Sequence, residues 1–152
     1  MAWIALTSTK LKELMAGAEF TAVTSAARAA GQEADTLVDN ALARVVQTAR
    51  GYIGRRYSLG PDGTVPDEVE GACLDMARVN VLTRLPNLKT LLSKERTQAA
   101  KDGYDLLRAI SRGEFVIVES DTPADSQPGA PVVAIINKRT PRYDADALGR
   151  LM

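Results

Sequence analysis

The side chains that could do chemistry in this sequence are few, and they cluster in one stretch. Asp67, Glu68, Glu70 and Asp75 are its carboxylate group, with the lone Cys73 among them. Paired carboxylates serve as general acid and base, and a thiolate serves as nucleophile or metal ligand. Each of these groups has a simpler use here. The first three fall in the opening turn of a predicted helix, where the dipole favours negative charge. Asp75 and Arg78 are three residues apart and read as an ion pair. Cys73 lies between Ala72 and Leu74 on an apolar face, the setting of an inert core thiol. The chain has no histidine, so the commonest general base and the commonest metal ligand are both missing. Serines and threonines are many, but no Ser-x-x-Lys pattern occurs and no imidazole is present to activate them. A metal site would lack both histidine and a second thiolate. The sequence argues for no enzyme, no cofactor, no metal and no small-molecule substrate.

The element that holds these residues is the organising helix of the chain, expected from Pro66 to Pro86. Proline suits a first helical position, and a second proline forbids continuation. Val69, Ala72, Cys73, Met76 and Val79 form one apolar face, and Leu74, Ala77, Val81 and Leu85 a second. A helix apolar on two sides should be buried by neighbours or sandwiched between subunits. Asn80 falls on the main apolar face and needs a hydrogen-bond partner there.

The elements around it follow from periodicity and capping. An apolar lead-in, Trp3 to Leu6, precedes Thr7 and Ser8, either able to cap a helix over Lys10–Ala16. A second helix is expected over Ala18–Ala30, ended by Gly31, with Phe20, Val23, Ala26 and Ala27 in contact. A third runs from about Thr36 to Tyr57, with Val38, Ala41, Val45, Ala49 and Tyr52 as its stripe. Gly51 and Gly54 inside it point to a close neighbouring backbone, and helix packing explains them better than a binding role. Ser58–Val65 reads as a compact surface turn, without the lysine or spacing of a phosphate-binding loop. Ser93 caps a last long helix, Lys94–Arg112, closed by Gly113.

Beyond Gly113 the composition changes. Phe115–Glu119 and Val132–Ile136 are short β-prone runs, separated by the Pro-, Ser- and Asp-rich Ser120–Pro131. The expected fold is all-α: a small helical bundle of about four to five helices, residues 1–114, with an extended C-terminal arm, residues 115–152, containing short β-prone segments. An idle arm carrying such apolar pieces would be an aggregation hazard, so they are expected to dock on this subunit or a neighbour.

Composition bounds the partners. With 45% hydrophobic and 25% charged residues over 152 positions, the chain is an ordinary single soluble domain. Lys plus Arg equals Asp plus Glu, 19 against 19, so there is no basic excess to grip nucleic acid. One cysteine allows no intrachain disulfide and fits a reducing compartment. No signal-peptide core and no run of about 20 apolar residues is present, so a cytoplasmic product with no membrane partner is expected.

The run ARGYIGRRYSLGPDGTVPDEVEGACLDMARVNVLTRLP, the helix ending in LLRAISRGEF and the closing PRYDADALGRLM resemble the neck proteins of Mu-like tailed bacteriophages. These are also called head–tail joining, head-completion or connector proteins. In that family a helix ends in an Arg-Gly-Tyr-like motif, and a Gly/Pro loop leads into a Pro-Asp-Glu helix. The resemblance spans roughly Leu6 to Met152. It implies a structural virion protein of the neck, made in the host cytoplasm. Such a protein is an adaptor that forms a ring homo-oligomer, commonly twelve-fold, between the portal and adjacent tail or neck proteins. Genomic DNA would pass transiently through the ring. The residues expected at subunit or partner contacts are Arg50, Tyr52, Arg55, Arg56, Asp75, Arg78, Phe115, Ile117, Val133, Ile135, Arg142, Tyr143 and Leu148. The alternative reading is a small helical DNA-binding or regulatory protein that uses the basic helix end from Arg44 to Arg56.

Overall fold

A computed structural model of the chain describes residues 1–118. In order, the elements are strand β1 (Trp3–Ala5), α1 (Ser8–Leu14), α2 (Gly17–Ala29), α3 (Ala34–Ile53), strand β2 (Thr64–Pro66), α4 (Glu70–Arg84) and α5 (Lys94–Arg112). Short 3-10 turns, Asp67–Val69 and Pro86–Leu91, bracket α4. The described residues therefore form a helical bundle of five α-helices, as expected, with one small sheet.

Helix α4 is the centre of the bundle. It packs against α3 and α5 along its length and against α1. Its Cys73, Met76, Ala77, Val81 and Leu82 are buried, facing Val38, Ala41, Val45 and Ala49 of α3 and Leu107 and Ile110 of α5 within one core. A fully buried leucine such as Leu82 or Leu107 contributes about 2 kcal/mol through the apolar area it removes from water. The two apolar faces of α4 are thus covered by its own chain, leaving little of this helix for a subunit sandwich.

The helix ends follow the local rules. The Thr7 hydroxyl accepts the Lys10 N–H at 3.4 Å, and the Ser93 hydroxyl accepts the Arg96 N–H at 3.2 Å. Gly113 closes α5 at φ 80°, a conformation that suits glycine.

Three local expectations are corrected. First, the lead-in and the loop end are strands: β1 and β2 pair antiparallel, with Trp3 opposite Pro66, Ile4 opposite Val65 and Ala5 opposite Thr64. Pro66 therefore ends a strand instead of opening α4. Three-residue strands some 60 positions apart carry too little periodicity to be seen in sequence. Second, α3 begins at Ala34 and stops at Ile53, so Gly54 and Tyr57 lie beyond it. Third, the glycine that admits a neighbouring backbone is Gly103, not Gly51. A Cβ on Gly103 would stand 3.1 Å from the Ala72 carbonyl and the Met76 side chain, so α5 approaches α4 closely there.

A Cβ on Gly51 would meet nothing within 4 Å. Gly51→Ala should therefore stabilise the chain by about 0.5–1 kcal/mol, since alanine loses less backbone freedom in a helix. Urea unfolding of the two proteins checks this. A lower midpoint for the alanine variant would show that the position is not open.

Candidate interaction surface

Of the basic residues at the end of α3, Arg50 is drawn into the body. From the last turn of α3, the Arg50 guanidinium donates to three carbonyl oxygens of the following loop: Gly60 at 3.0 Å, Pro61 at 2.7 Å and Thr64 at 2.9 Å. The Asp62 carboxylate lies 3.4 Å away, and the Trp3 ring of β1 is 5.8 Å from the guanidinium carbon. A planar fork of five donors suits this convergence of acceptors, and a lysine could not reproduce it. Arg50 thereby ties the Gly-Pro-Asp-Gly loop to α3 and to the N-terminal strand.

The loop passes close under Trp3, where a Cβ on Gly60 would overlap the indole ring. Gly60→Ala should cost about 2 kcal/mol, because either the ring or the clamped loop must shift. Thermal unfolding followed by tryptophan fluorescence, with Trp3 the single indole in the chain, reads both the loss and its location.

Arg56 and Tyr57 reach the end of α5. Arg56 donates to the Arg112 carbonyl at 3.0 Å, placing a cation where the helix dipole is negative. The Tyr57 hydroxyl accepts the Ile117 N–H at 3.1 Å. Arg55 stays exposed, with its guanidinium 5.7 Å from the ring of half-buried Tyr52. The segment after α5 then divides by side. Ile117 is 1% exposed within the core, whereas Phe115, Val116 and Val118 are 40%, 68% and 71% exposed.

Arg78 does not take Asp75 as its hydrogen-bonded partner. It forms a two-point bond with Glu19 of α2, its Nε lying 2.9 Å from Oε1 and its second nitrogen bonding Oε2. Arg96 of α5 stands 3.1 Å from the same Oε2. Glu19, 5% exposed, is the one buried charged residue of the described chain. Its hydrogen bonds hold the Arg78 charge above even its usual range, and half-buried Asp75 adds a weaker field in the same direction. Glu19 and Arg96 were missed in the sequence. The only signal is a glutamate one helical turn before Val23, on the apolar side of α2.

The remaining carboxylates are similarly engaged. Glu70 pairs with Lys10, and Asp67 accepts the Glu68 N–H at 3.1 Å. Hydrogen bonding to Glu68 lowers the Asp67 carboxyl below its ordinary value, while partial burial raises that of Glu68. Burial pushes the Cys73 thiol up to about 12, so it carries no thiolate at neutral pH. Among the described residues no group of three His, Cys, Asp or Glu side chains could hold a metal ion, and no helix is long and apolar enough to cross a membrane. Of the residues expected at contacts, Arg50, Arg78 and Ile117 are committed inside the body, and exposed Arg56 bonds the end of α5. Arg55 and Phe115 face solvent, and Tyr52 and Asp75 are half-buried. Val133, Ile135, Arg142, Tyr143 and Leu148 lie outside the described residues.

The described body is thus five helices whose polar groups bind its own elements, followed by the irregular apolar segment Phe115–Val118. The family model described as Bacteriophage Mu, Gp36 matches residues 6–135, and the chain belongs to that family: it is a Mu-like bacteriophage protein. Its family makes it a phage structural or morphogenesis protein. The match takes in every helix described above and stops short of the PRYDADALGRLM segment. No curated protein and no solved structure matches the chain.

Proposed function

We propose that this protein is a head–tail connector: a virion structural protein whose copies close into a ring between the portal and the tail, at the neck of the particle. It works without a cofactor and catalyses no reaction. Its partners are further copies of itself, the portal, adjacent neck or tail proteins and, transiently, the genomic DNA passing through the ring.

The observation that carries this reading is the exposed apolar run Phe115, Val116 and Val118 on a member of a phage structural family. Apolar side chains grouped in this way on a small body are suited to protein contact. The alternative, DNA binding through Arg44 to Arg56, is weakened by the same geometry. Arg50 spends both terminal nitrogens on loop carbonyls and Arg56 gives one bond to the Arg112 carbonyl, so that basic set has fewer donors free for phosphate. A net charge of zero fits a channel that passes DNA without gripping it.

Light scattering with a DNA gel shift at moderate salt separates the two. A connector gives a mass many times that of one chain, or acquires it on adding portal, and shifts no DNA. A persistent monomer that shifts DNA, with affinity falling steeply as salt rises, would replace this reading with the DNA-binding one. Deleting Asn137–Met152 should abolish incorporation into particles, scored by blotting purified virions. Infectious particles containing the shortened chain would remove that segment from the assembly role.

A further inference from the structure

The small sheet has one closed edge and one open edge. The Asp67 N–H bonds the Ala2 carbonyl at 3.0 Å, and Ile4 stands opposite Val65. In an antiparallel ladder, paired and outward-facing residues alternate. Ala2 and Ile4 therefore turn their backbone groups towards β2, while Trp3 and Ala5 turn theirs away. The far edge of β2 is closed, because Arg50 takes the Thr64 carbonyl. Among the described residues nothing pairs with the far edge of β1.

Where β1 runs out, a cleft of about 430 Å³ opens, lined by Leu6 and by Leu42, Ala43 and Val46 of α3, with Asp39, Asp62 and Arg50 also on its walls. Asp62 is near Arg50, whereas Asp39 has no cation partner among the described residues. The end of β1 thus brings an unpaired strand edge next to a cleft that offers apolar side chains and one carboxylate, Asp39, without a cation partner. Strand addition uses these features together, with the edge supplying backbone hydrogen bonds and the pockets taking alternate side chains.

We infer that this cleft and the open edge of β1 receive residues 132–139 of a neighbouring copy, VVAIINKR. Five apolar β-prone residues, Val132–Ile136, suit the edge and the apolar lining, and Lys138 and Arg139 follow as cations for Asp39. Thirteen residues, 119–131, separate the described body from this segment. Drawn out, they reach roughly 45 Å, enough to pass a body with a radius of gyration of about 13 Å. An arm entering a different patch on the next subunit is a heterologous contact, the kind that closes a ring. The inference rests on the connector reading and names the contact that would build the ring.

Disulfide trapping between two full-length variants tests it. One chain carries Ala43→Cys, on the exposed wall of the cleft, and the other Val133→Cys. Buried Cys73 stays silent. Mixed and mildly oxidised, they should give a cross-linked pair of unlike chains, absent when Lys101→Cys on exposed α5 replaces Ala43→Cys. Asp39→Lys in the first chain should cut the yield about fivefold, the scale of a partly screened ion pair. Lys138→Glu with Arg139→Glu in the second should restore it. Rings that form without the cross-link would overturn this inference and leave the connector reading standing. A cross-link found only inside one chain bearing both cysteines would also overturn it. A cross-linked pair in a sample that never forms rings would keep the docking and remove the connector.

Discussion

Glu19→Ala should unfold the protein roughly 10 °C below the parent, a loss of about 3 kcal/mol. The carboxylate is 5% exposed and serves two cations from two other helices, Arg78 of α4 and Arg96 of α5. Removing it leaves both guanidinium groups, with side chains 16% and 27% exposed, near each other and without their counter-ion. Breaking a buried pair from one side costs more than the pair contributes, because the charge left behind keeps its desolvation penalty. The partial exposure of both arginines lets water recover some of that loss, which places the effect near the lower end of the range for fully buried pairs. Glu19→Gln keeps the shape and one acceptor oxygen, so it should fall between parent and alanine. Differential scanning calorimetry of the three proteins decides the matter. A midpoint for Glu19→Ala within a degree or two of the parent would mean that the α2–α4–α5 junction is held by its apolar contacts alone.

Arg50→Ala should cost about 2–4 kcal/mol, and Arg50→Lys should recover little of it. Three loop carbonyls lose a charged donor at once, and bonds to charged groups contribute about 1.5–3 kcal/mol each when counted singly. They act as one unit and are accessible to water after the loss, so the total is well below the sum. Lysine restores the charge but offers a point donor on a longer, floppier stem, which can satisfy one acceptor well and not three. Loss should be greatest in residues 58–66 and β1, because the clamp joins them. Hydrogen exchange should show faster exchange there in the alanine variant, with the α4–α5 interface unchanged. Uniform loss of protection across all five helices would instead make Arg50 a general stability residue with no local role.

These two sites also show how much the sequence discloses. The long helices α3, α4 and α5 are legible because their signals are local and repeated: apolar steps of three and four, Ser93 before α5, Gly113 after it. The Glu19 junction is not. A single carboxylate on a helix side looks solvent-facing until the cations of two other helices are brought to it by tertiary packing, 59 residues along the chain for Arg78. Arg50 was legible as a basic residue near a helix end, but its acceptors are backbone carbonyls, which have no sequence identity. The paired strands fail for a related reason, since three residues hold barely one period of alternation. The two apolar faces of α4 were correctly read as buried faces. Which neighbours would cover them, helices of the same chain or of another subunit, depends on a topology that periodicity does not encode.

The functional side was legible through a different channel. The Arg-Gly-Tyr end of α3, the Gly-Pro-Asp-Gly loop and the Pro-Asp-Glu start together carried the resemblance to Mu-like phage proteins, and family membership over residues 6–135 agrees with it. The structure adds what that loop is for. Its glycines and proline let three carbonyls converge on Arg50 and let the chain pass beneath Trp3, so the motif is an internal brace. In the proposed connector, contact with other subunits would fall to what remains exposed, chiefly Phe115, Val116 and Val118 and the cleft at the end of β1.

Electron microscopy of the purified full-length protein, alone and mixed with its portal, examines the connector role at its root. A connector shows closed annular particles with a central opening, either unaided or seated on the portal ring. Single small bodies in both samples, together with assembled virions that contain no copy of the chain, would contradict it.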